Sequence, residues 1–571
     1  MTAPSYQQLA KDHLWMHFTR MGGYQAVDVP IIVRGDGCYL EDVNGKRYLD
    51  ALAGLFSVNI GYSFGEEIGQ AALEQMRELP FYTNWSYAHP RAIELATELA
   101  SLAPGDLNRA FFCSGGSEAV ESAWKLAREF FAARGEKAIS SAGAEPRARP
   151  DGLVAARAGE RAVADRRDHA GGPRRYKAIA RNIAYHGATM GALSITGISG
   201  LREPFEPLVP EVRHVSNTNR YHRPPEETEQ EFTQFLLDEL EQTIVSMGPE
   251  TVCLVHMEPV QNAGGAFTPP AGYFKGIREI CDRYDILLSA DEVITAFGRV
   301  GYWFGSERYD IRPDLVTCAK GLSSSYAAIG AVIATDRVME PFLGETSMFS
   351  HGITFGGHPT MCAIALKNIE IMKREGIVEH VRESEDAFRT TLAQLLDLPI
   401  VGDLRGTGFF YAIELVKDRD TREGFTEQEC ERLLRGFLSN ALFDAGLICR
   451  ADDRGDPVVQ ISPPLVAGQA EFDEIVRISA RYSPRHSVTS GGRRASRTVP
   501  WARTWRCRIL PRSSRSPLRV GGSRCPRMQG RRFASLLPGW DCRTRSPPSH
   551  SAATGRRASS ASTRSRPRCP R

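Results

Sequence analysis

Two short apolar runs, each followed at once by a charged side chain, constrain this chain more than any other feature of its sequence. Residues 286–290 run into Asp291, and residues 314–319 run into Lys320. Runs of this length and composition predict buried strands of a parallel sheet. Because parallel sheets bind ligands at the carboxyl ends of their strands, the carboxylate and the amine are predicted to share one site.

A carboxylate and an amine brought together in this way suit the chemistry of pyridoxal phosphate (PLP). A lysine shielded from water keeps a neutral amine, which can form a Schiff base with the cofactor aldehyde and later act as a base. A carboxylate that faces the pyridine nitrogen keeps it protonated, so that the ring accepts electrons. Taken alone, the two residues fit a solvated ion pair at the strand ends at least as well.

The surrounding sequence is more specific. ADEVITAFGRVG, at residues 290–301, followed by CAKGLSS, at residues 318–324, resembles the class III aminotransferases. This family of fold type I PLP enzymes includes the omega-amino acid:pyruvate transaminases, and the resemblance extends over about residues 10–135 and 177–480. It implies that Lys320 forms the Schiff base with the cofactor and that Asp291 faces the pyridinium nitrogen.

A second motif predicts the site of the cofactor phosphate. An apolar stretch ends in Cys113-Ser-Gly-Gly-Ser117, and the pattern of an amphipathic helix follows. Glycines let the backbone approach a ligand closely, and the free N–H groups at a helix start attract an anion. Since SGGSEA precedes YHG and AKG in the family's order, the resemblance implies a phosphate cradle at Gly116 and Ser117. A strand-to-helix turn without a ligand is the alternative.

The resemblance implies further cofactor contacts on three other segments. In YHG, Tyr185 is expected to stack on the pyridine face, and His186, for which the sequence supplies no partner, is expected to have a positional role or to be a core residue. Glu258, at the end of another apolar run, and Gln261 are expected near the phenolic oxygen or the substrate entrance. Thr354 is expected to bind the phosphate of the other subunit's cofactor, which predicts an obligatory homodimer.

Phe56 and Arg405 are the predicted substrate residues. Phe56 stands where many omega-transaminases carry a large aromatic side chain that lines the pocket, although a plain core phenylalanine fits the sequence equally well. Arg405 lies among glycines ahead of a strand pattern, and its planar guanidinium can bind a carboxylate through two hydrogen bonds. By resemblance it binds the carboxylate of the keto acid and moves aside for amines without one. A surface arginine in a turn is the alternative.

The net charge conceals a division within the chain. The 571 residues carry a net charge of +3, yet residues 485–571 contain 22 Arg, no Lys and one acidic residue, which leaves −18 for residues 1–484. Residues 138–175, rich in Ala, Arg, Gly and Pro, interrupt the family pattern as an unusually long connection. Arg without Lys is typical of an out-of-frame translation of GC-rich DNA, so both stretches are predicted to be disordered products of frame shifts. A natural basic arm that binds nucleic acid is the alternative for the tail.

Composition excludes several other classes of protein. The sequence shows no signal pattern and no apolar run of membrane-span length, so no membrane partner is expected. The cysteines have no zinc spacing, which predicts no metal site, and those in residues 1–484 are predicted to be reduced thiols of a cytoplasmic protein. No specific nucleic-acid partner is expected.

The predicted fold is α/β, of PLP-dependent transferase fold type I. A large domain over residues 61–355 is predicted to carry a mostly parallel seven-stranded sheet, and residues 1–60 and 356–482 are predicted to form a small α+β domain. The predicted reaction is transamination between an amine or omega-amino acid and a keto acid, with pyruvate as the expected acceptor. An aminomutase or racemase of the same family, which shares every cofactor residue, stays open. A non-catalytic protein that binds nucleic acid through the basic tail also stays open.

Overall fold

A computed structural model describes residues 5–141, 175–452 and 454–481 of the chain. Most of the unusual stretch at 138–175, and all of the tail at 483–571, lie outside these residues. The expectations of disorder and of frame shifts in those two stretches therefore stay predictions.

Strands and helices alternate through most of the described chain. The strands are β1 (Ile32–Asp36), β2 (Tyr39–Asp42), β3 (Arg47–Asp50), β4 (Leu107–Cys113), β5 (Lys177–Arg181), β6 (Val212–Val215), β7 (Val252–Met257), β8 (Leu287–Asp291), β9 (Leu315–Cys318), β10 (Gly330–Thr335), β11 (Val401–Thr407), β12 (Phe410–Leu415), β13 (Leu447–Ile448), β14 (Arg450–Asp452) and β15 (Val458–Ile461). The longer helices are Tyr6–His13, Gly65–Glu78, Pro90–Leu102, Gly116–Ser141, Glu229–Met247, Tyr273–Arg283, Pro359–Arg374, Ile377–Ala393, the π-helix Glu431–Leu438, and Gln469–Arg481. Short helical turns are Met21–Gln25, Ala53–Phe56, Met190–Ile195, Ser199–Arg202, Glu203–Phe205, Arg220–His222, Pro249–Thr251, Gly305–Arg308, Lys320–Leu322, Asp336–Met339, Glu340–Leu343, Gln394–Asp397, Glu427–Cys430 and Ser439–Asp444.

Seven strands form one mostly parallel sheet, in the order β4-β10-β9-β8-β7-β5-β6. β10 runs in the direction opposite to that of the other six strands of this sheet. Every residue of β7, β8, β9 and β10 is buried, which explains why these strands are continuous apolar runs in the sequence. The predicted seven-stranded sheet is confirmed. Because β8 and β9 are parallel neighbours, their carboxyl ends meet at one edge.

Helices cover both faces of this sheet. Gly116–Ser141 packs on one face over an apolar cluster that includes Leu287. Glu229–Met247 and Tyr273–Arg283 pack on the other face over a cluster that includes Leu288. Successive residues of a strand point to opposite faces, so the helices on the two faces pack against different side chains of β8.

Two four-stranded sheets, β1-β2-β3-β13 and β11-β12-β15-β14, complete the described fold. Asn44-Gly45 predicts a hairpin, and the strands that flank it, β2 and β3, pair antiparallel. β13 pairs in parallel with β3, which joins residues near the start of the chain to residues 447–448. This pairing is consistent with a small domain built from both ends of the sequence, although the domain bounds stay a prediction.

The eight cysteines of the described residues are free thiols, and seven of them are buried. Burial raises the pKa of the Cys253 thiol to about 12, which suppresses its reactivity. Among the helices within the described ranges, none is long and apolar enough to span a membrane.

Candidate active site

Asp291 and Lys320 meet at the carboxyl edge of the central sheet. Asp291 is the last residue of β8, and Lys320 lies two residues beyond the end of β9. Part of the Lys320 surface is accessible, but protein atoms enclose its amine. This desolvation lowers the pKa of Lys320 to about 8, although the charge of Asp291 opposes the shift. The amine is therefore partly neutral near physiological pH, as a nucleophile requires.

The backbone at Lys320 is strained. Its φ of 40° lies in the left-handed region, which side chains larger than glycine rarely adopt. Such conformations cost about 1–3 kcal/mol and persist only where the surrounding structure imposes them. The Asn368 amide donates to the carbonyls of Gly321 at 2.9 Å and Leu322 at 3.0 Å, and these bonds hold the turn that carries Lys320.

Four donors surround the Asp291 carboxylate. Oδ1 accepts from the Val293 N–H at 3.1 Å and from the Thr317 hydroxyl at 3.2 Å. His186 Nδ1 lies 2.6 Å from Oδ2, and His256 Nε2 lies 3.5 Å from the same oxygen. Burial would raise the pKa of Asp291, but the two histidines hold it far below its usual range. Asp291 is therefore ionised at neutral pH, as the partner of a protonated pyridine nitrogen must be.

The structure gives His186 the partner that the sequence did not reveal. Burial, together with the neighbouring His256, lowers the pKa of His186 to about 4, so its imidazole is neutral. Since an ionised carboxylate only accepts hydrogen bonds, His186 donates from Nδ1 to Asp291. Its backbone N–H donates to Thr196 Oγ1 at 3.0 Å, which fixes the loop after β5.

The predicted phosphate cradle lies at the start of helix Gly116–Ser141. A Cβ on Gly116 would lie 2.9 Å from Cγ1 of Val293, so the residue after Glu292 packs directly on the helix start and only glycine fits there. Ser117 Oγ accepts a hydrogen bond from the Ala188 N–H at 3.1 Å. The free N–H groups at the start of this long helix therefore lie beside the segment that carries Asp291.

Tyr185 is half-buried, and the charges of two arginines act on it. Burial raises the pKa of the Tyr185 phenol, whereas the charges of Arg454 and Arg450 lower it. The Arg454 guanidinium lies 6.0 Å from the Tyr185 ring. The charge of Arg450 also lowers the pKa of Lys320, so this residue of β14 lies near both groups. Sequence reasoning missed Arg450, whose only signal is its position after the apolar run at 447–449.

The structure brings Phe56 close to Lys320. Nζ of Lys320 lies 5.9 Å from the centre of the Phe56 ring, and this ring packs edge-on against Phe410 with centroids 5.6 Å apart. Phe56 belongs to an apolar cluster that includes Ala412 of β12, the residue directly opposite Arg405 of β11. Directly opposite residues share one face of a sheet, so Arg405 points to the side on which this cluster lies.

Arg405 is embedded among acceptors. It forms ion pairs with Glu414 and, at 3.0 Å, with Asp403. Its guanidinium also donates to the carbonyls of Gly265 at 2.6 Å and Gly264 at 2.9 Å. With its side chain 10% exposed in the middle of a strand, Arg405 is not the surface arginine of a turn.

Glu258 and Gln261 follow β7 at the same edge. Burial raises the pKa of the Glu258 carboxyl to about 8, although the charge of Arg181, whose Nη2 lies 3.7 Å from Oε2, opposes the shift. Glu258 is therefore mostly a neutral acid at neutral pH. Gln261 is fully buried and donates to the Asn182 carbonyl at 2.9 Å.

Thr354 lies in an exposed turn bordered by large apolar side chains. The ring of Phe355 packs 5.8 Å from that of Phe81, and a Cβ on Gly352 would lie 2.9 Å from the Trp85 ring. The side chains of Phe355, Phe81 and Trp85 are themselves exposed.

Comparison with known proteins identifies the family. The profile of the aminotransferase class-III family matches residues 24–481, most of the chain. The chain belongs to the class III aminotransferases. A probable aminotransferase of Mycobacterium tuberculosis is 50% identical over 466 residues, which cover 82% of this chain and 91% of the relative. A putrescine–pyruvate aminotransferase of Pseudomonas aeruginosa is 37% identical over 478 residues, or 83% of this chain and 95% of the relative.

Solved structures agree with this assignment. The omega-transaminase of Pseudomonas jessenii, determined in complex with PMP, is 33% identical to this aminotransferase, with a TM-score of 0.73 over 84% of this chain and 97% of its own. The predicted fold type I is thereby confirmed, and this aminotransferase catalyses PLP-dependent transamination.

The residues of this aminotransferase fit the cofactor of the family. Lys320 offers an enclosed amine with a lowered pKa, Asp291 an ionised carboxylate, and Gly116 a helix start that a larger side chain would block. When bound, PLP supplies an electron sink for the charge that develops on the substrate carbon.

Proposed function

We propose that this enzyme transfers the amino group of an amine or omega-amino acid to pyruvate. The observation that carries the proposal is the pair at the sheet edge, the ionised carboxylate of Asp291 and the enclosed amine of Lys320. Pyruvate as acceptor is supported by the relative from Pseudomonas aeruginosa, whose name includes it. The eight cysteines within the described residues are all free thiols, which supports a cytoplasmic location for the enzyme.

Five residues have the central roles in this proposal. Lys320 binds the cofactor covalently, and once displaced it moves the proton at the substrate carbon as a free base. Asp291 retains the proton on the pyridine nitrogen, and His186 holds Asp291 in the correct orientation. Gly116 and Ser117 bind the phosphate with backbone N–H groups and a hydroxyl.

Two buried polar side chains and one aromatic ring complete the cofactor site. Tyr185 stacks on the pyridine ring. Glu258 and Gln261 face the phenolic oxygen or the substrate entrance. As a mostly neutral acid, Glu258 can donate a hydrogen bond to a negatively charged oxygen there.

Phe56 and two arginines form the substrate side of the proposed site. Phe56 limits the space next to Lys320. Arg405 binds the carboxylate of the keto acid, which requires that it exchange its present partners for the substrate. Arg450 is a second candidate, because its charge already acts on Lys320.

We also propose a homodimer in which Thr354 binds the phosphate of the partner's cofactor. The exposed rings of Phe81, Trp85 and Phe355 border this turn, and an apolar patch of this kind is typical of a surface that another protein covers. A second copy of the chain is the occupant that a shared phosphate site requires.

Product analysis of the purified holoenzyme tests the proposed reaction. Putrescine and 4-aminobutyrate are offered as donors, with and without pyruvate, and alanine is quantified. We expect alanine to form in proportion to the donor consumed, and only when pyruvate is present. Conversion of either donor to a positional isomer without pyruvate would contradict the proposal and identify an aminomutase.

A further inference from the structure

Asp291 has a second histidine neighbour, which the predicted site does not include. His256 lies in β7 directly opposite Ser289 of β8, and both side chains are fully buried. Residues two apart on a strand share a face, so His256 and Ser289 point to the face on which Asp291 lies. A buried imidazole in an otherwise apolar strand is unfavourable unless polar partners compensate for its lost hydration.

The partners of His256 define its tautomer. Nδ1 lies 2.9 Å from the Ser289 hydroxyl, and Nε2 lies 3.5 Å from Oδ2 of Asp291. Because the ionised carboxylate can only accept, the nitrogen that faces it carries the proton, and Nδ1 accepts from Ser289. At 3.5 Å the contact is too long for a normal hydrogen bond. It therefore acts as an oriented N–H dipole on the carboxylate.

The remaining donors leave one position open on Asp291. Oδ1 accepts two hydrogen bonds, and Oδ2 accepts one, from His186. A carboxylate can accept about four, so Oδ2 has capacity for one further donor. The rings of His186 and His256, whose centroids lie 4.6 Å apart, both border this oxygen.

We propose that His256 is a positioning residue that acts through Asp291 and keeps the proton of the Asp291–cofactor pair on the pyridine nitrogen. The inference rests on the proposed role of Asp291 in binding PLP. In that pair one proton would be held between the ring nitrogen and the Asp291 carboxylate, and no other group would change its protonation. The Nε2–H dipole of His256 stabilises the negative carboxylate, so the proton stays on the ring, where it favours electron withdrawal.

The protonation of the ring nitrogen can be measured directly in holoenzyme that contains ¹⁵N-labelled PLP. His256→Leu removes the dipole at similar volume, His256→Gln retains an amide N–H, and Val255→Ala alters the opposite face of the same strand. We expect His256→Leu to shift the ¹⁵N resonance toward the neutral-pyridine value. Its kcat should fall about tenfold, the equivalent of about one pKa unit, with an unchanged KM for the donor. His256→Gln should retain most of both properties.

The controls separate this inference from stability and from the proposed function. Val255→Ala should lower the Tm without moving the resonance. An unmoved resonance in folded His256→Leu overturns the inference, whereas an unprotonated ring in the wild type, or an unmoved resonance in Asp291→Asn, overturns the role of Asp291 instead. If His256→Leu does not fold, His256→Met, which also lacks an N–H donor at this position, takes its place, and a resonance like that of the wild type in this variant overturns the inference.

Discussion

Arg405 and Glu414 form an ion pair between β11 and β12, and the second carboxylate oxygen of Glu414 lies 2.5 Å from His222 Nε2. Glu414 is almost completely buried. Hydrogen bonds to Asp456 and to Glu414 raise the pKa of His222 to about 10, so its imidazole is charged at neutral pH. When a substrate carboxylate recruits Arg405, His222 remains to compensate the charge of Glu414, which makes the exchange of partners energetically feasible.

This arrangement leads to a prediction about the two arginines. Arg405→Ala should raise the KM for pyruvate about 10- to 100-fold, the loss expected for hydrogen bonds to a charged group, and should change the half-reaction with putrescine much less. Arg450→Ala should also raise the pKa of Lys320, because it removes a neighbouring positive charge. Single-turnover kinetics measure the first effect, and the pH dependence of the reaction of the apoenzyme with added PLP measures the second, with the exposed Arg477→Ala as control. Equal losses in both half-reactions would mean that the arginine is structural.

The second prediction concerns Lys320. Lys320→Ala should abolish the pH-dependent visible absorbance of the holoenzyme and its turnover, because Lys320 is the single lysine of the segment that joins β9 to β10. Absorption spectra and donor consumption check both properties, and the exposed Lys373→Ala is the matched control. A variant that retains both would refute the covalent role of this residue.

The third prediction is that the buried carboxyl group of Glu258 makes the stability of the apoenzyme depend on pH. Burial raises its pKa from 4.5 to about 8, so its contribution to stability is present below pH 4.5 and is lost as the pH rises through 8. Between these pH values the wild type should therefore lose stability relative to Glu258→Gln. The difference between their free energies of unfolding should change by at most about 1.4 kcal/mol per pH unit. Urea denaturation at pH 5, 6.5 and 8 tests this, with the exposed Glu226→Gln as control. Parallel pH profiles for wild type and Glu258→Gln would contradict the prediction.

The sequence predicted the central sheet and the main pair of the site, because both depend on local patterns. Continuous apolar runs indicate buried strands, and a charged side chain at the end of such a run must lie at the edge of the sheet. The role of His256 could not be predicted in this way, because the residue lies within an apolar run. Its proximity to Asp291 depends on the register of β7 against β8. The sequence predicts only that Arg405 lies next to a strand, because its cross-strand partner Glu414 cannot be recognised without the pairing of β11 and β12.

The fourth prediction concerns the Arg-rich tail. The last described helix, Gln469–Arg481, buries Phe472, Ile475 and Ile478 in the main apolar cluster, so the chain up to this point contains the elements that the site needs. A chain truncated after residue 482 should be a soluble dimer with undiminished activity. Light scattering and alanine formation measure this. Loss of activity or of the dimer, or genomic DNA that confirms the tail in frame, would show that the tail is a genuine part of the protein.

The positive φ angle of 40° at Lys320 means that selection for stability and selection for catalysis favour different residues at this position. Glycine adopts this backbone region without penalty, and at position 320 it would also remove an amine that has lost its hydration. A screen for heat resistance alone would therefore favour variants that replace Lys320 and are inactive. Thermostable descendants of this enzyme have to gain their stability at other positions, on helix surfaces and in loops, while the strained backbone beside the cofactor site is inherited unchanged.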